Sequence, residues 1–453
     1  MKPLFSVVMS LGLVLSAGAA HAVDNVHYLA DGDQSITQIV SSIRNAKRSI
    51  DLTYFIYDIC GTVGGVLTDE LGAAAKRGVK VRVIVDAYTH DEETRDKAVA
   101  LFDSKGIELR YYNVTKKWNP QGNNRTHIKL FVFDGSTYVT GGRNVADDYF
   151  GFANGTNWID RDVFVQGSSG PQAARNFNEL WNSRNTSRLE SNLSTAARIE
   201  ALKECANNNK EEKRRLSARL NGAWSQPVKA KSYRCEGRFV SDSPAFADVV
   251  ALNDGDYDNR PYLHGERLEL KRMTHALMKQ FQSAQSEIFT ENWGYVPQAD
   301  IRSILLSKRD KGVEVVVVTN RSTEGYGPTD LILRERAQTD TGGTMKILAI
   351  APEKITAPRH ALTPKESVGK YHSKVYTVDR KKVAVTSWNM DPRSHHTNLE
   401  SGWVSENCPQ LALDIQAETA KSIKVKNAGS EAWDGKGPSF LKKIMAWASH
   451  EFL

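Results

Sequence analysis

Metal-binding motifs are missing from this chain. It has no His-Glu-x-x-His, no Cys-x-x-Cys and no EF-hand loop, so none of the zinc, thiolate or calcium sites that a sequence can display is present. No cofactor and no metal are expected. Cysteine is scarce. The four cysteines among 453 residues, Cys60, Cys205, Cys235 and Cys408, are not spaced as metal ligands. Long apolar runs are missing too. Beyond the first 22 residues, no stretch reaches the roughly 18 apolar residues that a membrane-spanning helix needs. Neither sign of charge is in large excess: 60 Lys and Arg face 53 Asp and Glu, for a net charge of +7. A basic protein attracts anionic lipid or nucleic acid, but so small an excess selects neither.

The first residues read as an export signal. Lys2 is the positive start, Phe5–Leu15 is apolar but short, and Ala20-His21-Ala22 is a small-x-small cleavage site before Val23. No cysteine follows the cut, which argues against a lipid anchor. A soluble mature protein, secreted or periplasmic, is expected. Its length suits two domains. In an oxidising compartment four cysteines permit two disulfides in three connectivities, or remain as free buried thiols. A Cys205–Cys235 bond would staple the centre of the chain, and Cys60–Cys408 would then tie its two ends.

One polar pattern occurs twice, about 245 residues apart. His127-Ile-Lys129-Leu-Phe-Val-Phe-Asp134 is followed after six residues by Gly141-Gly142-Arg143-Asn144. His372-Ser-Lys374-Val-Tyr-Thr-Val-Asp379 is followed after six by Thr386-Ser387-Trp388-Asn389. In an extended strand alternate side chains share a face. His and Lys of each copy therefore point the same way. Leu130–Phe133 reads as a buried strand, Asp134-Gly135-Ser136 as a turn, and Thr137–Thr140 as the returning strand that brings Asn144 back toward His127. In the second copy Asp379-Arg380-Lys381 is the turn and Val383–Thr386 the return. Asp134 and Asp379 are thus structural members of the motif.

The repeat extends upstream. Lys76–Val85 matches Asp310–Val318, each a helix ending at Gly followed by a buried strand. Strands at Ser49–Tyr57 and Ser286–Trp293 precede them. Before these come helical stripes at Ile36, Ile39, Val40 and Ile43, and at Leu270, Met273, Leu277 and Phe281. The expected fold class is α/β: two similar β-α-β-α domains with mixed, largely parallel sheets covered by helices. The expected boundaries are a signal at 1–22, a first domain at 23–195, a linker and loop at 196–266, and a second domain at 267–453. Glu200–Arg219 is highly charged and reads as one solvated helix. Ser241–Glu266 and Ala351–Lys370 read as long loops at the rim of a cleft.

On the two His-x-Lys-x4-Asp motifs the sequence resembles the phospholipase D superfamily. Asn389-Met-Asp391-Pro392-Arg393-Ser394 and the Tyr149-Phe150 after Gly-Gly-Arg-Asn resemble its bacterial, cardiolipin-synthase-like branch. The resemblance covers nearly the whole mature chain. It implies two domains facing each other about a pseudo-twofold axis, with both motifs in one active site for phosphodiester chemistry. Such chemistry needs charge neutralisation, a nucleophile and an acid for the leaving oxygen. Lys129, Lys374, Asn144 and Asn389 would cradle the phosphate, with a further hydrogen bond from Ser387. The resemblance makes His127 the nucleophile, forming a phospho-histidine, and His372 the acid. It also implies one acidic residue per imidazole, Glu400 for His372 and Asp160 for His127, with Asp162 as second choice for His127. His395 and His396 read as surface residues.

The motif gives the reaction class and leaves the substrate open. The leading expectation is a secreted phospholipase D that cleaves the distal phosphodiester to phosphatidic acid and transfers phosphatidyl groups to alcohols. The alternative is a phosphatidyltransferase of the cardiolipin synthase type. A nuclease fits less well, because such relatives tend to be short, single-motif homodimers. Expected partners are phospholipid at a membrane or micelle surface and an alcohol acceptor, with no nucleic acid, and the chain is expected to be a monomer. Tyr149, Phe150, Phe152, Trp158, Trp388 and Trp403 are candidates to line an acyl groove.

Overall fold

The computed structural model describes residues 23–114, 124–223, 230–247, 265–322, 327–356 and 368–423. The leader at 1–22 and much of both expected rim loops lie outside these residues. The first half begins with β1 (Val23–Leu29), α1 (Gly32–Asn45), β2 (Ser49–Tyr54), α2 (Thr62–Lys76), β3 (Lys80–Asp86), α3 (Glu92–Ser104) and β4 (Glu108–Tyr112). It continues with β5 (Leu130–Phe133), β6 (Thr137–Gly141), β7 (Thr156–Ile159), β8 (Asp162–Gly167), α4 (Gly170–Trp181) and β9 (Thr186–Ser187). Helices α5 (Thr195–Asn207) and α6 (Lys210–Ala223) lead to β10 (Lys231–Ser241). The second half contains α7 (Gly265–Leu270), α8 (Arg272–Ser283), β11 (Glu287–Asn292), α9 (Ala299–Asp310), β12 (Glu314–Asn320), α10 (Gly327–Asp340) and β13 (Met345–Ile350). It ends with β14 (Val368–Tyr371), β15 (Lys374–Val378), β16 (Lys382–Thr386), α11 (Pro392–His396), β17 (Ser401–Asn407) and α12 (Pro409–Ser422).

Local sequence accounts for the elements. The Ile36, Ile39, Val40 and Ile43 stripe of α1 is buried, and the Asp31 carboxylate caps the helix by accepting the Gln34 N–H at 2.8 Å. Met273, Leu277 and Phe281 form the buried stripe of α8, while Leu270 stands apart on α7. Helices α2 and α9 are followed by Gly78 and Gly312, at φ 89° and 83°, the left-handed exit that glycine adopts without strain.

Fifteen strands form one sheet, in the order β13-β12-β11-β15-β16-β17-β10-β1-β8-β6-β5-β2-β3-β4-β9. The order repeats. From the edge inward, β4-β3-β2-β5-β6-β8-β1 is matched by β13-β12-β11-β15-β16-β17-β10. The two series meet where β1 and β10 pair antiparallel. The mixed α/β fold with two related halves is present, and the internal repeat of sequence is a repeat of topology about that central pair. Within this sheet, parallel ladders are confined to β2–β3–β4 and β11–β12–β13, and the inner ladders are antiparallel.

The segment 196–266 is not a separate linker. Its strand β10 opens the second half as β1 opens the first. Tyr233, Cys235 and Phe239 on it are buried, but charged neighbours interrupt the pattern and hid the strand in the sequence. The charged stretch at 200–219 is two helices, with Asn209 at φ 49° between them. They are not fully solvated, because Ala201, Cys205, Leu216 and Leu220 are buried against the first half.

The disulfides are Cys60–Cys205 and Cys235–Cys408, with Cα separations of 4.6 and 5.1 Å. This is neither of the pairings favoured by order along the chain. Strand register explains the second bond. Glu236 lies opposite Asn407 in the β10–β17 ladder, which sets Cys235 beside Cys408. The first bond ties α5 to the loop before α2.

Each motif aspartate ends its strand in the left-handed region, Asp134 at φ 52° and Asp379 at φ 54°. The carboxylate of Asp134 accepts the N–H groups of Lys47, Arg48 and Ser49. That of Asp379 accepts those of Gln285, Ser286 and Glu287. Each therefore staples its hairpin to the chain entering β2 or β11. Partial burial pushes both acids up, but the N–H donors outweigh it and hold them below the usual range. Asp134→Ala and Asp379→Ala should each cost about 1–3 kcal/mol, the scale of orphaned donors, measured by urea unfolding at pH 7. A depressed carboxylate contributes stability above its unfolded value and loses it as pH falls. The gap between wild type and variant should therefore shrink below pH 4. A gap unchanged down to pH 2.5 would contradict the assignment.

Candidate active site

Each motif histidine lies just before its strand, at a point where the chain is held by the other half. The backbone N–H of His127 donates to the Leu399 carbonyl at 2.9 Å, next to a bridge between Thr126 and Leu399. The backbone N–H of His372 donates to the Ile159 carbonyl at 2.8 Å, at the end of a two-stranded parallel ladder between β14 and β7. The residues after Leu399 and Ile159 are Glu400 and Asp160. The backbone pairing therefore fixes the side-chain pairing. His127 Nδ1 lies 3.1 Å from both oxygens of Glu400, and His372 Nδ1 lies 2.6 Å from Asp160 Oδ2.

This corrects the expected assignment. Both carboxylates hold motif imidazoles, but each holds the histidine of the opposite half. Asp162, the second choice, serves neither. It accepts from Arg143 Nε at 2.8 Å and from Ser35 Oγ at 2.6 Å. Arg143 also donates to the Asp160 carbonyl. Arg161 pairs with Glu291 across the halves at 3.1 Å, both buried. Nδ1 of each ring is held beside a carboxylate, with the Ser387 carbonyl 3.1 Å from that of His127 and Lys374 Nζ 2.9 Å from that of His372, which leaves Nε2 as the other nitrogen of each ring. Both rings line one cleft of about 520 Å³, together with Asn144, Asn389, Asp391, Arg393 and Asn398.

The two sides differ at the residue after Gly141 or Thr386. Ser387 is fully buried and donates from Oγ to Glu400 Oε2, and Ser394 Oγ donates to Oε1 at 2.6 Å. Ser387 therefore positions Glu400 and does not reach a phosphate, contrary to expectation. Gly142 occupies the matching place. A Cβ there would collide with the Asp160 carboxylate and crowd Lys374 Cδ at 3.1 Å. The shorter acid thus sits where the hydroxyl would be. Asp242 completes the support of Glu400. It accepts the Glu400 N–H at 3.0 Å and pairs with fully buried Lys271 at 2.6 Å. It lies at the start of a stretch that reads as loop, with nothing in its spacing to single it out.

Lys129 and Lys374 are buried beside their histidines. Lys129 Nζ donates to the His127 carbonyl at 2.7 Å, and Lys374 Nζ donates to the His372 carbonyl. They add positive charge to the site but are not on the cleft wall. Burial pushes the Lys374 ammonium down to about 8, against the pull of Asp160 and Glu400. Burial also drives His127 down to about 4, with Lys129 and Lys374 adding to the effect and Glu400 opposing it. His372 is pushed well below its ordinary value by burial, then by Lys374, Lys129 and His127. Both imidazoles are therefore neutral at pH 7. Glu400 is held at about 2: burial would raise it, but His127 and Lys129 outweigh burial. Burial raises Asp160 despite Lys374 and Arg143.

The aromatic wall is only partly the expected one. Tyr149 and Trp158 stand against His372, at ring centroids of 4.8 and 5.6 Å. Trp388 and Trp403 are core residues, and Phe150 and Phe152 pack into the first-half core. Phe55, 5.2 Å from His127, and Tyr88 and Trp293 line the cleft instead. They sit just after β2, β3 and β11, where the sheet opens into the site. His395 is fully buried, not a surface residue, with Nε2 2.9 Å from Asp300 Oδ2. Among the described residues no cluster of His, Cys, Asp and Glu suits a metal ion.

Comparison with known proteins agrees with this geometry. A family model described as "Cardiolipin synthase, PLD-like domain" matches residues 39–181 and 277–422. Cardiolipin synthase C of Escherichia coli is 27% identical over 436 residues, 86% of this chain and 84% of that one. An uncharacterised protein of Helicobacter pylori is 24% identical over 437 residues, 89% of this chain and 79% of that one. The crystal structure of phosphatidylserine synthase from Haemophilus influenzae aligns with a TM-score of 0.61 and 13% identity, over 94% of this chain and 93% of that one. That last likeness is one of fold.

The exchanged pairing has a direct spectroscopic consequence. Glu400→Gln should shift the ring nitrogen resonances of His127 and leave those of His372 nearly in place. Asp160→Asn should do the reverse. Histidine-selective 15N spectra, assigned with His127→Ala and His372→Ala, read both changes. Shifts confined to the histidine of the same half would contradict the geometry.

Proposed function

The chain belongs to the cardiolipin synthase family of phospholipase D-like domains, and on that premise we propose that it is a phosphatidyltransferase that makes cardiolipin from phosphatidylglycerol. It is thus a phospholipid phosphodiester enzyme in which transfer comes before hydrolysis, the reverse of the order expected from the motifs alone. The match to cardiolipin synthase C over most of both chains supports this order. Release of phosphatidic acid into water remains the side reaction of the same intermediate.

The observation that carries the chemistry is the pair of cleft-lining imidazoles, each with Nδ1 held by the opposite half's carboxylate. In the first step His127 Nε2 attacks the donor phosphorus, and the bond to the headgroup oxygen breaks. The proton for that oxygen is delivered through His372 from the proton shared within the His372–Asp160 pair, since burial pushes the imidazole down and the Asp160 carboxyl up. In the second step His372 takes the proton of the acceptor hydroxyl, whose oxygen attacks phosphorus and releases His127. The choice of His127 as nucleophile rests on charge. Forming the P–N bond makes its ring cationic, and Glu400 beside it is a permanent anion near neutral pH. Asp160 binds its proton more readily, which suits the imidazole that must carry one. The ammonium of Lys374, held charged near neutral pH by Asp160 and Glu400, lowers the cost of bringing in the phosphate charge, while burial pushes Lys129 well below its ordinary value.

We further propose that the protein is exported, with cleavage after Ala22, to the periplasm or beyond. Two disulfides suit an oxidising compartment. One chain supplies both motifs, so a monomer is sufficient for activity.

Purified protein should convert phosphatidylglycerol in mixed micelles to cardiolipin, with EDTA present, as identified by mass spectrometry. His127→Ala and His372→Ala should each lose about a hundredfold or more while remaining folded. With a donor that carries a good leaving group, His372→Ala should accumulate a phosphatidyl adduct on the peptide containing His127. More than a tenth of wild-type activity in either variant would rule out the paired mechanism. An adduct on the His372 peptide would reverse the roles.

A further inference from the structure

The cleft carries on its wall a cationic side chain outside the two His-Lys pairs. Arg393, on α11, lines it alongside both catalytic histidines. Its side chain is half-buried, and among the described residues nothing pairs with its guanidinium. Its backbone is fixed, because its carbonyl accepts the N–H groups of Thr397 and Asn398 at 2.9 and 2.8 Å. The helix is fixed as well, by the Asp391 carboxylate on the Ser394 N–H at 2.8 Å and by His395 on Asp300. The guanidinium is thus aimed from a rigid support.

The charges around Arg393 leave it short of an anion. Arg125, buried nearby, repels it. Asp86 and Asp391 attract it, but Asp86 is committed through both oxygens and Asp391 through one. Asp86 accepts from Arg125 at 3.4 Å and from the N–H groups of Tyr88 and Thr126 at 2.8 Å, while Asp391 caps α11. Arg393 is the guanidinium on the cleft wall, with the buried Arg125 charge behind it, and a guanidinium in such a place favours an anionic guest. Beside them Asn398 lines the same cleft, 6% exposed, with its side-chain oxygen buried and without a partner. An unmet buried acceptor is costly unless a ligand donor reaches it.

We infer that Arg393 and Asn398 form a second subsite, in which Arg393 holds the phosphodiester of an anionic acceptor lipid and Asn398 accepts a hydrogen bond from its glycerol hydroxyl. This rests on the transferase reading and goes further, because it names how the acceptor is chosen. A lipid with its own phosphate and a free hydroxyl satisfies both groups. Water and simple alcohols satisfy at most one. In the second step, the acceptor phosphate at Arg393 would set the terminal hydroxyl beside His372 and the phosphorus on His127. The product then has two phosphates joined by one glycerol.

Acceptor partition tests this. Mixed micelles of phosphatidylcholine as donor would receive either phosphatidylglycerol or ethanol, and wild type would be compared with Arg393→Gln, Arg393→Lys and Asn398→Asp. In Arg393→Gln the ratio of cardiolipin to phosphatidic acid should fall at least tenfold, through a higher KM for phosphatidylglycerol. The ratio of phosphatidylethanol to phosphatidic acid should move less than twofold. Arg393→Lys should recover part of the loss, and Asn398→Asp, which adds a negative charge, should lower the first ratio. If both ratios fall together, or neither falls, the subsite is wrong and the transferase reading stands. If wild type forms no cardiolipin at all, the transferase reading fails and the subsite fails with it.

Discussion

The hydrogen bond between each motif imidazole and a carboxylate of the opposite half is the constraint on which the candidate site depends. It exists because His127 is paired by its backbone to Leu399 and His372 to Ile159. Neither half holds a complete acid–base pair. A histidine without its carboxylate would present either ring nitrogen, with no fixed tautomer. The halves must therefore be locked together before the chemistry can exist. The β1–β10 ladder at the centre of the sheet supplies that lock, with the Arg161–Glu291 pair and the β7–β14 ladder nearer the cleft.

The repeat is symmetric in backbone and asymmetric in charge. On one side Ser387, Ser394 and Asp242 surround Glu400 with partners. On the other, Gly142 makes room for Asp160, which has fewer donors and a weaker hold on its charge. Burying so many ionic groups costs solvation that only mutual pairing can return. The arrangement therefore contributes little net stability. What it provides is two imidazoles of similar geometry in different electrostatic settings, the difference on which the proposed division of roles rests.

Much of the fold was legible because the sequence is duplicated. The motif strands, turns and returns, the helices ending at Gly78 and Gly312, and the stripes of α1 and α8 all follow from local periodicity and turn chemistry. Asp134 and Asp379 could be placed because a strand-ending aspartate leaves few choices. The carboxylate partners could be named but not paired, since proximity along the chain says nothing of an exchange between halves. Strand β10 was hidden because charged residues interrupt its apolar alternation, and the Cys235–Cys408 disulfide depends on it. Phe55, Tyr88, Trp293 and Asn398 carry no motif of their own. They reach the cleft only because they sit at the mouth of the sheet. Arg393 was visible as part of a motif, but its place on the cleft wall appears only in three dimensions.

The most direct test of the exchanged half-sites is an experimental structure with vanadate bound, as a mimic of the pentacoordinate phosphorus. The account predicts vanadium on His127 Nε2, an apical oxygen facing His372 Nε2, Glu400 on His127 Nδ1 and Asp160 on His372 Nδ1. Glu400 on His372 and Asp160 on His127, or an anion that touches only one imidazole, would contradict it.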